Sequence, residues 1–466
     1  MTTSTLTTVD PTTLEPIGNY PTHTAAQIDE ILEQAADAAA TWRYEPFAAR
    51  TAVLHRIADL IEDRSAELGA LITAEMGKPL AEAAAEVTKC AWNCRYVADH
   101  GPTAIATTPL SGPDDATVRI EYEPLGVILA IMPWNFPLWQ LFRFAAPAIM
   151  AGNTIILKHS PNVTGCALAI ESLFAEGCGD LRLLSTILVE ESVVATVSER
   201  VVADPRVAAV TVTGSTRAGA AVASSAGRAL KKSVLELGGS DPFIVLDDAD
   251  LGTAATHAVR SRFMCAGQTC IAAKRIIVAD SVIADFTHEF LNRVDRITVG
   301  DPTDPATDMG PLARPDLVDQ IERQVDTSVA MGATVLTGGH RLDRTGNYYA
   351  PTVLANVTPD MPVYNEETFG PVAALVSASD DTSAVEMAND TEYGLAASIW
   401  SRDIDRAVAV GRRIDCGAFY VNSLVASDPR VPFGGVKRSG FGRELGDLGM
   451  REFTNARTVW VSGTTA

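Results

Sequence analysis

The hydrophobic rhythm of the chain changes near residue 113. From Ala25 to Ala40 and from Ala48 to Met76, apolar positions such as Leu54, Ile57, Ile61, Leu68, Leu71 and Ile72 recur at helical spacing, and Ala81 to Tyr96 continues the pattern. This predicts a helical N-terminal layer. Beyond Pro113 the texture turns to short β-branched runs: Ala116 to Tyr122, Gly126 to Ile131, Thr154 to Lys158, Ser185 to Leu188, Ala208 to Thr213 and Phe243 to Leu246. Helical stretches at Leu141 to Met150, Cys166 to Phe174 and Thr216 to Ser224 separate the later ones. Such alternation predicts a parallel sheet with covering helices, and a second alternation from Leu251 to Phe419 predicts another α/β unit. A tail strand, Arg457 to Ser462, is expected to pair with Ala116 to Tyr122. The Thr-rich residues 2 to 13 form the one low-complexity segment.

Composition bounds the function. With 466 residues, 47% hydrophobic and 20% charged, the chain has material for two or three domains. The longest apolar run, Gly126 to Trp134, falls short of the roughly 18 residues of a membrane span, and the opening residues lack a basic segment followed by an apolar one. A cytoplasmic location is expected. Seven cysteines without framework spacing read as reduced thiols. Cys90 and Cys94 have no further ligand at zinc-site spacing, so no metal is expected. A net charge of −21 argues against nucleic acid or anionic membrane as partner, while leaving room for a small anion in a local arginine pocket.

Cys270 closes the small-residue run Gly267-Gln268-Thr269-Cys270 and is a candidate nucleophile; Glu236, in Glu236-Leu237-Gly238-Gly239, is a candidate general base. In Pro133-Trp134-Asn135-Phe136-Pro137 the prolines stiffen a loop whose Asn135 amide suits a developing oxyanion or, as readily, caps a helix starting near Leu138. The stretch Thr211 to Gly219 follows a strand and opens a helix. Its free N–H groups suit a pyrophosphate, but the Gly-x4-Gly spacing departs from the usual dinucleotide fingerprint, and by itself it reads as an ordinary strand-to-helix turn.

Together these motifs resemble the aldehyde dehydrogenase superfamily, in the family's order and over nearly the whole chain: the Pro-Trp-Asn-Phe-Pro loop, Lys158, the Gly214 to Gly219 turn, Glu236 to Gly239, Gly267 to Cys270, Glu367-Thr368-Phe369-Gly370-Pro371 and Pro432-Phe433-Gly434-Gly435. The resemblance implies an α/β fold with a Rossmann-like cofactor domain (1–112 and 126–236), an α/β catalytic domain (237–430) and a small β extension for oligomerisation (113–125 and 445–466). It implies a homodimer or homotetramer and NAD or NADP as cofactor. Cys270 would form a thioester with the aldehyde, Asn135 and the Cys270 N–H would hold the oxyanion, and Glu236 would activate the hydrolytic water. Trp134, Lys158, Ser160, Gly214, Ser215, Gly219, Leu237, Glu367 and Phe369 would line the cofactor site. The NAD-preferring glutamate is replaced by Pro161, which permits NADP.

The resemblance is closest to the bacterial succinate-semialdehyde dehydrogenases. Arg143, eight residues after Asn135, and Ser427 match positions that bind the distal carboxylate in that group. A second arginine found in some members is Met264 here, with Arg262 or Arg430 as possible substitutes. The lysine many relatives carry nine residues after the asparagine is Phe144, so a relay from it to Glu444 does not carry over. Glutarate semialdehyde is an alternative substrate, and coenzyme A acylation or a non-catalytic role are alternative classes. Cys265, five residues before Cys270, is either a redox partner for it or a small buried thiol.

Overall fold

The computed structural model describes residues 4–113 and 116–463. The N-terminal layer is helical: Ala25–Trp42, opened by a Thr24/Gln27 capping box, then Phe47–Asp63, Ser65–Met76 and Leu80–Ala104. The single helix expected over Ala48 to Met76 is two, because Arg64 leaves the helical region (φ −100°, ψ 17°) and the chain restarts at Ser65. The second of them ends at Gly77, whose φ of 75° suits glycine.

Two large sheets follow. The first has six strands in the order Gly440–Phe441, Lys232–Glu236, Val207–Thr213, Val127–Met132, Thr154–His159 and Leu184–Thr186. All neighbours are parallel except the short Gly440–Phe441 strand. Ile128, Ile155, Leu157 and Val210 are fully buried, which explains why these strands read as continuous apolar runs rather than alternating ones. The second sheet has seven strands, ordered Thr334–Thr337, Thr352–Ala355, Val372–Ala378, Arg275–Ala279, Pro242–Val245, Ala396–Trp400 and Ala418–Val421. It is parallel apart from the first pairing.

A three-stranded antiparallel sheet joins Thr454–Ser462 to Ala116–Pro124 and Thr108–Leu110. The tail pairs where its alternation predicts, Arg457 opposite Glu121 and Ser462 opposite Ala116. The Thr-rich segment is not featureless: Thr5–Val9 pairs antiparallel with Pro16–Pro21. Thr8 is buried there, in a β-branched run whose inward positions alternate with exposed ones.

Candidate active site

Five predicted site residues come from four neighbouring strands of the six-stranded sheet, at their carboxyl ends. Val127–Met132 runs into Asn135, Thr154–His159 carries Lys158, Val207–Thr213 runs into Gly214 and Ser215, and Lys232–Glu236 ends on Glu236. The crevice beyond the carboxyl ends of parallel strands is where open α/β sheets bind ligands. The seven-stranded unit brings Cys270 on the loop between helix Leu251–Phe263 and strand Arg275–Ala279.

That loop is held in an unusual conformation. Cys265, Ala266 and Gly267 take φ values of 55°, 51° and 74°, a left-handed run that costs free energy for the two non-glycine residues. Side chains from several elements fix it. Arg262 donates to the carbonyls of Gly267 and Gly370, each at 2.7 Å, and Glu82 accepts the Cys265 N–H at 2.9 Å. Lys274 donates to the Thr269 and Cys270 carbonyls at 3.0 and 2.6 Å. A Cβ at Gly267 would lie 2.2 Å from the Gly370 oxygen, so only glycine fits. These contacts correct the expectation for Arg262, which is fully buried outside the cavity lining and turns its Nη2 to loop carbonyls rather than to substrate.

Asn135 belongs to the same construction. Its Nδ2 donates to the Gln268 carbonyl at 2.9 Å, tying the Pro-Trp-Asn-Phe-Pro loop to the nucleophile loop and leaving a second amide N–H for an incoming oxygen. Asn135 does not cap the following helix, Trp139–Ala151. Glu86 does, accepting the N–H groups of Leu138 and Trp139 at 2.9 and 3.0 Å.

Glu236 is buried with neither carboxylate oxygen hydrogen-bonded. Burial pushes its pKa well above the ordinary carboxylate value; Arg143, 3.9 Å away, opposes this and Glu444 adds to it. Arg143 reaches the cavity wall as a substrate residue should, but its guanidinium pairs with Glu444, donates to Thr213 Oγ1 at 3.2 Å and lies over the Phe433 ring. Its charge is thus committed to the buried carboxylates. Phe144 packs edge-on against Phe453, and the cation facing Glu444 comes from one position earlier than in relatives that carry the lysine.

Burial also pushes the Cys270 thiol up to about 11, with Arg143 and Lys274 pulling the other way. The resting nucleophile is therefore a thiol, and ionisation increases as pH rises. Alkylation of Cys270 by iodoacetamide in the cofactor-free enzyme should accelerate through pH 9 and 10 without reaching a plateau; a plateau near pH 7 would contradict this environment. Cys265 lies behind the loop, its thiol donating to the Asn135 carbonyl at 3.7 Å and raised by burial to about 12, the setting of a small core thiol.

Cys270, Phe136, Trp139, Arg143, Ser427 and Phe433 line one cavity of about 680 Å³. Arg430 does not reach it. It lies on the surface, paired with Asp428 at 2.6 Å, so its expected role at the substrate is corrected too.

The predicted cofactor residues fit a phosphate-bearing dinucleotide. A Cβ at Gly214 would meet nothing within 4 Å, and Ser215 caps helix Thr216–Arg228 by accepting the Ala218 N–H at 3.3 Å. Gly219 allows Leu237 to pack against the helix, since a Cβ there would lie 2.4 Å from a Leu237 methyl. Lys158 is half-buried and, among the described residues, has no carboxylate within ion-pair distance; burial lowers its pKa, with Glu191 opposing. An open helix N-terminus and a half-buried lysine without a close counter-charge suit a polyphosphate. Ser160 donates to Asn162 at 2.7 Å. Glu367 accepts the Gly239 N–H at 3.0 Å and lies 3.7 Å from Lys274, while Phe369 stands edge-on to Trp134, 5.7 Å between ring centres.

The helix Leu80–Ala104 supplies residues that motif reading passed over. Glu82, Glu86, Lys89 and Asn93 recur at intervals of four, three and four, interleaved with buried Ala83, Val87, Cys90 and Cys94. Charges at helical spacing along an apolar face are the available signal, because a solvated stripe would lie opposite the apolar one. Buried Lys78 pairs with Glu86 and sits 3.7 Å from the Phe136 ring centre. Among the described residues, no group of three or more His, Cys, Asp or Glu side chains is arranged to hold a metal ion, and no helix is long and apolar enough to cross a membrane.

Comparison with known proteins gives the family. The aldehyde dehydrogenase family model matches residues 1–459. The chain is 47% identical over 452 residues to the succinate semialdehyde dehydrogenase [NAD(P)+] Sad of Escherichia coli, covering 97% of each. It is 46% identical to a probable succinate-semialdehyde dehydrogenase [NADP(+)] of Synechocystis, covering 98% of this chain and 99% of the other. The crystal structure of succinic semialdehyde dehydrogenase from Streptococcus pyogenes with NADP+ superposes with a TM-score of 0.95 at 35% identity, over 98% of this chain and 100% of that one.

Proposed function

Since the chain belongs to the aldehyde dehydrogenase family, we propose that it oxidises succinate semialdehyde to succinate with NAD(P)+, through a thioester on Cys270. The carrying observation is a nucleophile loop, locked in a left-handed conformation and tied by Asn135, that opens onto a cavity also lined by Arg143 and Ser427. Cys270, deprotonated, adds to the aldehyde carbon, and the Asn135 amide and Cys270 N–H stabilise the oxyanion. The nicotinamide supplies the hydride acceptor when bound. Glu236 then takes a proton from the water that hydrolyses the thioester, a role suited to a buried carboxyl of raised pKa. A retained Glu236, with neither carboxylate oxygen hydrogen-bonded, weighs against release of the acyl group by coenzyme A.

Lys158, Ser160, the Gly214–Ser215 turn and Glu367 would hold the dinucleotide. The relatives' names cite NADP(+) or NAD(P)+, and Pro161 places no carboxylate where a 2′-phosphate would be repelled. The reading extends to a cytoplasmic enzyme, consistent with seven free cysteines, and to a homodimer built on the three-stranded sheet. Its strands leave Trp460 55% and Leu110 46% exposed, apolar surface suited to a second copy.

Steady-state kinetics with succinate semialdehyde, glutarate semialdehyde and butanal, each with both cofactors, test the proposal. Succinate semialdehyde should exceed butanal in kcat/KM by more than about 10-fold, the least that a charged hydrogen bond contributes. Equal values for the two would reject the substrate assignment.

A further inference from the structure

The cavity is lined by the cations Lys89, Arg143, Arg260, Arg293 and Arg296; Arg143 faces Glu444 and Glu236, Arg293 pairs with Glu289, and Lys89 is the one that bonds Ser427. Its ammonium donates to Ser427 Oγ at 2.9 Å and lies 4.2 Å from the Trp139 ring centre. Trp139 Nε1 donates to the same Ser427 oxygen at 3.0 Å. A serine hydroxyl has two lone pairs and one proton. Both lone pairs are taken, and no described residue accepts the remaining O–H. The cluster therefore offers only donors.

Its charge is also free. No carboxylate among the described residues lies within ion-pair distance of Lys89. The groups that face it are Glu86 and Cys90 on its own helix, Arg143 on helix Trp139–Ala151 and Asp428 on the loop carrying Ser427. Glu86 is engaged by Lys78 and by the Leu138 and Trp139 N–H groups. Asp428 is held by Nε and Nη2 of Arg430, at 2.8 and 2.6 Å. A half-buried ammonium beside an aromatic face, with its neighbouring carboxylates already paired, is poised for an external anion.

We propose that Lys89, with the Ser427 hydroxyl, binds the distal carboxylate of the substrate, and that Trp139 sets the Ser427 oxygen in place. The inference rests on the substrate reading above and names a different cation for it. Lys89 would donate to one carboxylate oxygen while the Ser427 O–H donates to the other. Burial lowers the Lys89 pKa to about 8, so the cation is present at neutral pH and lost above that value.

The test compares kcat/KM for succinate semialdehyde and butanal in wild type, Lys89→Met and Lys89→Arg. Lys89→Met should cut the preference for the carboxylated substrate by about 30-fold, within the range of one charged hydrogen bond, and Lys89→Arg should restore part of it. Should the variants fold poorly, wild type serves alone. Its preference should decline as pH rises from 7 to 9.5, because kcat/KM reports the free enzyme's ionisation. Equal losses for both aldehydes in Lys89→Met, or a preference flat across that pH range, overturns the role of Lys89. A wild type indifferent to the carboxylate overturns the substrate reading and this inference together.

Discussion

Cys270→Ala should lower kcat for succinate semialdehyde by about 10,000-fold or more, the scale on which loss of an acylated nucleophile is felt. Cys270 contributes the one thiol that lines the cavity among the described residues. Cys265 cannot substitute, being buried behind the loop against the Asn135 carbonyl. The loop owes its shape to Arg262, Lys274, Glu82 and Asn135, which bind backbone atoms and not the thiol. The variant should therefore keep its melting temperature and its affinity for NAD(P)+, measured by calorimetry and by fluorescence titration. Unfolding of the variant would contradict a loop held through its backbone, and retention of even a hundredth of wild-type turnover would show that the chemistry is not carried by this thiol.

Glu236→Gln should separate the two halves of the reaction. Stopped-flow mixing with aldehyde and NAD(P)+ should give a burst near one NAD(P)H per site, followed by a steady state slower than wild type by about 100- to 10,000-fold, the range for loss of a general base. The physical basis is the isolation of this carboxyl. Neither oxygen has a hydrogen-bond partner, Arg143 is 3.9 Å away, and a Cβ at Gly434 would come within 2.7 Å of Oε1. Glutamine fills the same space without the basic lone pair. Because burial disfavours the Glu236 carboxylate, the wild-type deacylation rate should rise with pH as the carboxyl ionises. Loss of the burst itself would instead assign Glu236 to activation of the Cys270 thiol, whose pKa near 11 leaves that step in need of a base.

How far the sequence reached differs from residue to residue. Parallel strands such as Val127–Met132 and Val207–Thr213 were legible because both faces are buried and the apolar runs are unbroken. The break at Arg64 was not, because helix periodicity continues across it and only the backbone of one residue changes. Cys270, Asn135 and Glu236 stand in motifs whose residue types match their chemistry. The substrate cations do not: Arg143, Arg262, Arg430 and Lys89 are all side chains that suit a carboxylate.

The sequence by itself carried the α/β architecture in its periodicity and, through motifs that resemble the aldehyde dehydrogenases, the expectation of which residues would serve as nucleophile, oxyanion donor and base, since such patterns are local properties written into consecutive positions. Only the tertiary structure decided which partners each cation meets. Arg143 is claimed by Glu444, 301 positions later in the chain, Arg262 by the carbonyls of Gly267 and Gly370, and Arg430 by Asp428. Lys89 meets Ser427 across 338 positions and finds its neighbouring carboxylates already paired. Whether a charge is available depends on partners brought together by packing, and such long-range pairings leave no periodic trace along the chain.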